Sequence, residues 1–436
     1  MRVILIKFLT LNNILKSPIE YFILHFASWQ ILNITIFLLS RQRDNFQPIF
    51  SDQVYLGSIS LSTLFIFIHL FLLLMSEPHK IHNKNLFLIF SLPLLVLYLS
   101  MFINHDFRSM QSLTLIFILF CPLLILQKEK VNLELLIYFI TLISISNFIY
   151  SFFQFIQLIP VAQLNEREII SGLSQRPTGI FFNAFAMSYA SLIFFAVSVY
   201  FYEKFKNKTI ILSLFISSIL SLLMSGTRTS LWLGILFLSF SIIYKYFYQN
   251  KNVLRITFWF LVVFGSLSPI FLIILGIKTG NAEWATLNGR TQMWTCVFNK
   301  SSQLFPIGIG LDDAFPPRYC AESGWFSNLR HPENMFLLSF VESGILGFTS
   351  YIVLFIYSLK ISYQKLLKNN YLPLFLTITF LLASLIYVPL FHYLPFLPKR
   401  PADRGIFNFH LLYIIWIYFL VNDYSLNLKK INKIRK

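Results

Sequence analysis

Arginine, glycine and one histidine recur in four short clusters, each suited to holding an anion or moving a proton. The first is Ser174-Gln175-Arg176-Pro177-Thr178-Gly179, followed by Asn183. Pro177 and Gly179 shape a turn into a predicted helix. Arg176 then lies beside backbone amides that also favour an anion; the plainer alternative is an interfacial arginine that snorkels. The second is Ser225-Gly226-Thr227-Arg228-Thr229-Ser230, a hairpin too short to carry Arg228 far from two apolar segments. An arginine at that depth needs a partner: a phosphate oxygen on the functional reading, a carboxylate such as Glu342 on the structural one. The third joins Gly289-Arg290 to Pro306-Ile307-Gly308-Ile309-Gly310 and Asp312-Asp313. Its glycines would let backbone amides come close to a ligand. The fourth is Arg330-His331-Pro332-Glu333-Asn334, with Glu342-Ser343-Gly344 further on. His331 beside Arg330 is expected to stay neutral and able to accept a proton. Glu342 is an ionisable group about two helical turns inside an apolar segment. Asp312, Asp313, Glu322 and Glu333 lack the spacing of a divalent-cation site; they read as a solvated acidic edge, and no metal is expected.

The elements that must position these clusters are apolar segments. The chain of 436 residues is 56% hydrophobic and 12% charged, with a mean hydropathy of +0.68; a soluble protein carries about twice that charged fraction. Twelve segments are predicted: Tyr21 to Ser40, Tyr55 to Met75, Leu86 to Asn104, Gln111 to Gln127, Leu133 to Leu158, Gly179 to Tyr202, Thr209 to Met224, Leu231 to Tyr248, Ile256 to Ile277, Asn334 to Leu359, Tyr371 to His392 and Ile406 to Val421. Most approach the ~20 apolar residues that cross a bilayer core. The fold class is therefore an all-α polytopic membrane protein with about 12 transmembrane helices. Residues 1–277 hold helices 1–9, residues 278–333 a large outward loop, and residues 334–436 helices 10–12 and a basic tail.

Charge sets the orientation. With both termini cytoplasmic, 18 of 21 lysines fall on the inner side, as the positive-inside rule expects. By the same count 11 of 14 arginines fall in outward loops. That rule does not explain them, whereas the planar guanidinium fork suits bidentate binding of phosphate. The net charge of +17 is scattered in short clusters, so no basic domain is long enough to read nucleic acid. No cleavable signal peptide is expected, and no GxxxxGK[ST] nucleotide loop is present.

Lys278 to Glu333 is the one long outward loop, and Trp284, Trp294, Phe298, Phe305, Phe315, Trp325 and Phe326 give it apolar surface to bury. Asn288-Gly289 reads as a helix start. Trp294, Val297 and Phe298 then share one side of an amphipathic helix over Arg290 to Lys300, resting on the membrane surface. Cys296 and Cys320 lie in the same loop. In an oxidising compartment they would form a disulfide; the alternative is two buried free thiols.

The four clusters occur in a recognisable order: R-P-T-G-x-F-x-N, S-G-T-R, G-R-x-x-x-W with P-x-G-x-G, and H-P-x-N-x-x-L-x-x-x-x-E-x-G-x-x-G. Over about residues 170 to 350 this resembles the O-antigen ligase and O-antigen polymerase superfamily of bacterial inner-membrane proteins. The resemblance implies a metal-independent, inverting glycosyltransferase of GT-C-like helical architecture that needs no cofactor. Its donor would be a glycan on undecaprenyl pyrophosphate, its acceptor lipid A-core or another glycan, and its active site would face the periplasm. Arg176, Arg228 and Arg290 would bind the pyrophosphate, His331 would assist the acceptor, and Asn183, Asn334 and Glu342 would support them. Many members carry a second histidine directly before the motif asparagine, where this chain has Glu333; either His331 or Glu333 is then the proton acceptor. Ligase is favoured narrowly over polymerase. A protein-glycosylating enzyme and a lipid-linked oligosaccharide flippase or transporter are the alternatives.

Overall fold

The computed structural model describes residues 55–56, 59–60, 84–104, 133–158, 177–181, 184–247, 250–279, 290–310, 334–386, 412 and 415–420. Among these the chain is helical apart from one two-residue antiparallel pair, β1 (Tyr55–Leu56) with β2 (Ile59–Ser60). The expected segment Tyr55 to Met75 therefore begins as a tight extended hairpin rather than a helix. The helices are α1 (Lys84–Ile103), α2 (Leu133–Phe155), α3 (Ala184–Phe201), α4 (Lys208–Met224), α5 (Arg228–Phe247), α6 (Lys251–Thr279), α7 (Arg290–Asn299), α8 (Ser301–Leu304), α9 (Met335–Leu367) and α10 (Leu372–Ile386). A 3₁₀ turn, Gly179–Phe181, precedes α3, and residues 415–420 are helical. The expected segments Tyr21 to Ser40 and Gln111 to Gln127 lie outside the described residues.

Long runs of Leu, Ile and Phe make these helices apolar on every side, which a helix facing only water cannot sustain. On α1, Phe90, Leu94, Leu97 and Met101 are buried while Leu88, Leu95 and Leu99 are exposed. Trp232 and Ile235 on α5, and Ile256, Trp259 and Phe260 on α6, are exposed in the same way. Apolar faces turned outward suit lipid as the surrounding solvent. Among the described residues three helical stretches are long and apolar enough to cross a membrane: Leu136–Phe155, Thr229–Phe247 and Met335–Leu367.

The chain forms two compact units. The first contains α2, the 3₁₀ turn, α3, α4 and α5 as far as Ile242. Its helices approach through serines, whose small side chains let backbones come close in a membrane. Ser144 on α2 and Ser217 on α4 share a hydrogen bond of 2.7 Å, and Ser230 on α5 donates to Ser188 on α3 at 2.8 Å. Phe195 on α3 lies between Phe215 and Phe237, with ring centroids at 5.4 and 6.3 Å.

The second unit contains α1, the end of α5, and α6 to α10. Phe258 on α6 meets Tyr363 on α9 with centroids 4.8 Å apart, and Ser362 on α9 pairs with Thr377 on α10 at 2.9 Å. The far end of α9 closes on Asn369 in the left-handed conformation (φ 66°), which turns the chain into α10. Tyr244 donates to the Asn369 side chain at 3.1 Å.

Candidate functional site

In the second unit the P-x-G-x-G and E-x-G-x-x-G motifs form one structure. Helix α9 is broken at Gly344, whose φ of 63° and ψ of −154° are open to glycine and strained for any other residue. The break frees carbonyls that a continuous helix would occupy, and every buried backbone group needs a partner. The strip Pro306–Gly310 supplies them. Ile309 N donates to Val341 O at 3.0 Å, Gly310 N donates to Glu342 O at 3.0 Å, and Ile345 N donates back to Pro306 O at 3.1 Å. Ser100 on α1 donates a further hydrogen bond to Glu342 O. Asn104, the residue after α1, donates to Gly308 O at 3.4 Å. Gly308 thus admits the backbone of α9, where the sequence leads one to expect a ligand. Glu342 lies at this junction with its side chain buried.

Asn334 caps α9. Its side-chain oxygen accepts from Phe336 N and Leu337 N, both at 3.0 Å, while its amide nitrogen donates to Leu385 O on α10 at 2.8 Å. Both ends of the amide are used, which fixes the start of α9 against α10.

The loop helix expected over Arg290 to Lys300 is α7, and Arg290 is its first residue. Its inner side differs from the expected one. Val297 is fully buried in a cluster with Leu304, Leu337 and Val341, with Trp294 and Cys296 packed against it, whereas Phe298 is 62% exposed. The helix therefore uses its apolar side against the start of α9, and Phe298 is not part of that side. Cys296 is disulfide-bonded.

In the first unit, two helices enter at one end. The Arg176-Pro177-Thr178-Gly179 run is followed by the 3₁₀ turn and then α3. Gly179 has φ of 58°, and a β-carbon there would fall 2.0 Å from the Asn147 oxygen. Gln154 accepts from Thr178 N and Gly179 N, both at 2.9 Å, and donates to Thr178 Oγ1 at 3.1 Å; Asn147 accepts from Ile180 N at 3.2 Å. Arg228 is the first residue of α5, after a turn in which Gly226 has φ of 62°. The Ser225 hydroxyl donates to Leu222 O at 2.7 Å and accepts from Thr227 N at 3.4 Å, which holds that turn closed. Ser188 and Ser230, each close to the start of its helix, bond to one another. The chain that follows Arg176 and the helix that begins with Arg228 thus start at the same end of the unit.

Asn147 and Gln154 are the polar residues that sequence reasoning passed over. The available signal was a stripe: Ser144, Asn147, Ser151 and Gln154 recur at helical spacing along an otherwise apolar segment. Arg176, Asn183, His331, Glu333 and Cys320, together with Asp312, Asp313 and Glu322, lie outside the described residues.

Residues 212–352 match the family model described as O-antigen ligase. The matched stretch begins within α4 and extends past the break in α9, so it takes in Arg228, Arg290, His331, Glu333, Asn334 and Glu342. No curated protein matches the chain in a direct comparison.

Proposed function

We propose, from the match of residues 212–352 to the O-antigen ligase family model, that the chain is a membrane enzyme of the O-antigen ligase and polymerase superfamily and transfers a glycan from undecaprenyl pyrophosphate to lipid A-core at the periplasmic face. An acceptor hydroxyl attacks the anomeric carbon of the donor sugar. A new carbon–oxygen bond forms as the bond to the diphosphate breaks, and its electron pair leaves with undecaprenyl pyrophosphate. The acceptor's proton goes to His331, or to Glu333 in the alternative assignment. One displacement inverts the anomeric carbon. Arg176, Arg228 and Arg290 stabilise charge building on the leaving diphosphate, the electrostatic contribution that is usually largest in such transfers. Because pyrophosphate leaves readily, neither a general acid nor a metal ion is needed.

The observation that supports this most directly is the hydrogen bond between Ser188 and Ser230, which holds the early turns of α3 and α5 together. Membrane topology follows the charge pattern: about twelve spans, both termini in the cytoplasm, the 278–333 loop in the periplasm, and the chain in a bacterial inner membrane. The test is reconstitution with a glycan on undecaprenyl pyrophosphate. Arg176→Ala and Arg228→Ala should abolish transfer while the protein still inserts, and Arg228→Lys should be poor if the contact is bidentate. Full activity in either alanine variant would overturn the assignment. Loss of activity with a chelator, restored by manganese, would reopen a metal-dependent mechanism. Carrier movement without product would favour a flippase. A repeat-unit polymerase remains the second reading; deletion that leaves a single repeat unit on lipid A-core would select it over the ligase.

A further inference from the structure

Asn147 and Gln154 stand two helical turns apart on α2 and together accept three consecutive backbone N–H groups, those of Thr178, Gly179 and Ile180. An entry to a helix ordinarily satisfies such donors with a local cap. Here the acceptors come from another helix, with 24 residues between Gln154 and Thr178 and 33 between Asn147 and Ile180. The shape of the turn is therefore set by α2. Gly179 fits only because it has no β-carbon to strike the Asn147 oxygen.

The Asn147 side chain is used at one end only. Its oxygen is bonded to Ile180 N, while its buried amide nitrogen has no hydrogen-bond partner among the described residues. Leaving such a donor unpaired costs stability. A residue kept for packing would not carry that cost; a residue kept for the position of one oxygen would.

We propose that Asn147 and Gln154 are positioning residues that present the turn after Arg176 to the diphosphate of the lipid-linked donor. This rests on the assignment of Arg176 to that diphosphate. Neither residue touches the reacting atoms. Their effect passes through the backbone of residues 177–180.

The experiment uses the purified full-length protein in nanodiscs, with undecaprenyl pyrophosphate as the probe. Asn147→Leu removes the unpaired amide nitrogen together with the oxygen that accepts from Ile180 N, so the two effects offset and its melting temperature should stay near that of the parent. Its affinity for the probe should nevertheless fall about tenfold, the scale of one hydrogen bond to a charged group. Gln154→Ala should do the same, and hydrogen exchange should quicken at residues 178–180 with the flanking helices unchanged. Combining Gln154→Ala with Arg176→Ala should weaken binding no further than Arg176→Ala alone. Should Arg176→Ala lose affinity while Asn147→Leu and Gln154→Ala bind as the parent does, or should the losses add, the positioning role is overturned and the arginine assignment stands. Unchanged affinity in Arg176→Ala overturns both. If Gln154→Ala fails to fold, Asn147→Leu and its exchange pattern decide alone.

Discussion

Gly308 and Gly344 are fitted into one another's backbones. A β-carbon on Gly308 would stand 2.5 Å from Glu342 C and Ser343 N, and one on Gly344 would stand 2.0 Å from Pro306 O. Both residues have positive φ, 78° and 63°. Because the obstructing atoms are backbone, no side chain can swing aside to make room. Gly308→Ala and Gly344→Ala should each destabilise the protein by about 3 kcal/mol or more, from left-handed strain and overpacking together. The double variant should cost less than the sum, since either change alone already parts the same two strands of chain. Melting temperatures of the four proteins in detergent measure this, and full additivity would mean that the glycines act separately.

Asn334 separates two contributions that a single alanine variant would merge. Asn334→Ala removes the cap from α9, about 1 kcal/mol, and also leaves the part-buried Leu385 O without this donor, about 1 kcal/mol more. Asn334→Ser keeps an oxygen for the helix start but cannot reach Leu385 O. Thermal stability should rank parent, then serine, then alanine. Equal values for serine and alanine would show that the cap contributes nothing and that the tie to α10 is what matters.

The helices were legible because they are long, continuous and apolar, and the start of α7 was legible from Asn288-Gly289. Segments read as Leu86 to Asn104 and Leu133 to Leu158 became α1 and α2 with small changes at their ends. What failed to show was long-range pairing. The apolar run of α9 continues through Gly344 on both sides, so hydropathy sees one span. The break is visible only when Pro306–Gly310, more than thirty residues earlier, is laid against it. For the same reason those glycines were read toward a ligand. On α7, Phe298 was grouped with Val297 by hydrophobicity, although adjacent residues point about 100° apart on a helix. Asn147 and Gln154 were hidden by the opposite bias: a segment judged on mean hydropathy conceals the few polar side chains that hold something.

Lys204 gives a pH dependence with a defined sign. It lies in the hairpin between α3 and α4, donates to the Tyr200 hydroxyl at 2.9 Å, and sits 4.1 Å from the centre of the Tyr200 ring. Burial lowers its ammonium to about 7, against roughly 10.4 in an unfolded chain. Below pH 7 both states carry the proton, and the cost of burying the charge is present in full. Between about 7 and 10 the unfolded chain keeps the proton and the folded one releases it, so stability rises with pH across that window. The rings favour the cation; they narrow the window without reversing its sign. The melting temperature of the parent, measured relative to Lys204→Met, should therefore climb from pH 7 to 10. A constant difference would show that the lysine stays protonated throughout.

Cys296 joins the fold of the loop to the question of which compartment it faces. The residue is disulfide-bonded within α7, beside the cluster that fixes this helix to α9. The expected partner is Cys320, which would close a loop of about 24 residues and, by the chain-entropy account, stabilise the folded state by about 3 kcal/mol. Such a bond persists in an oxidising compartment and is rare in the reducing cytosol. Peptide mapping of protein alkylated in whole cells, without reductant, should recover Cys296 and Cys320 on one linked fragment. Cys296→Ser should lower the melting temperature and free a thiol at position 320 to alkylation. Recovery of both cysteines as alkylated thiols from untreated cells would put the loop on the cytoplasmic side. The arginines proposed to bind the diphosphate would then face the wrong compartment for transfer at the periplasmic surface.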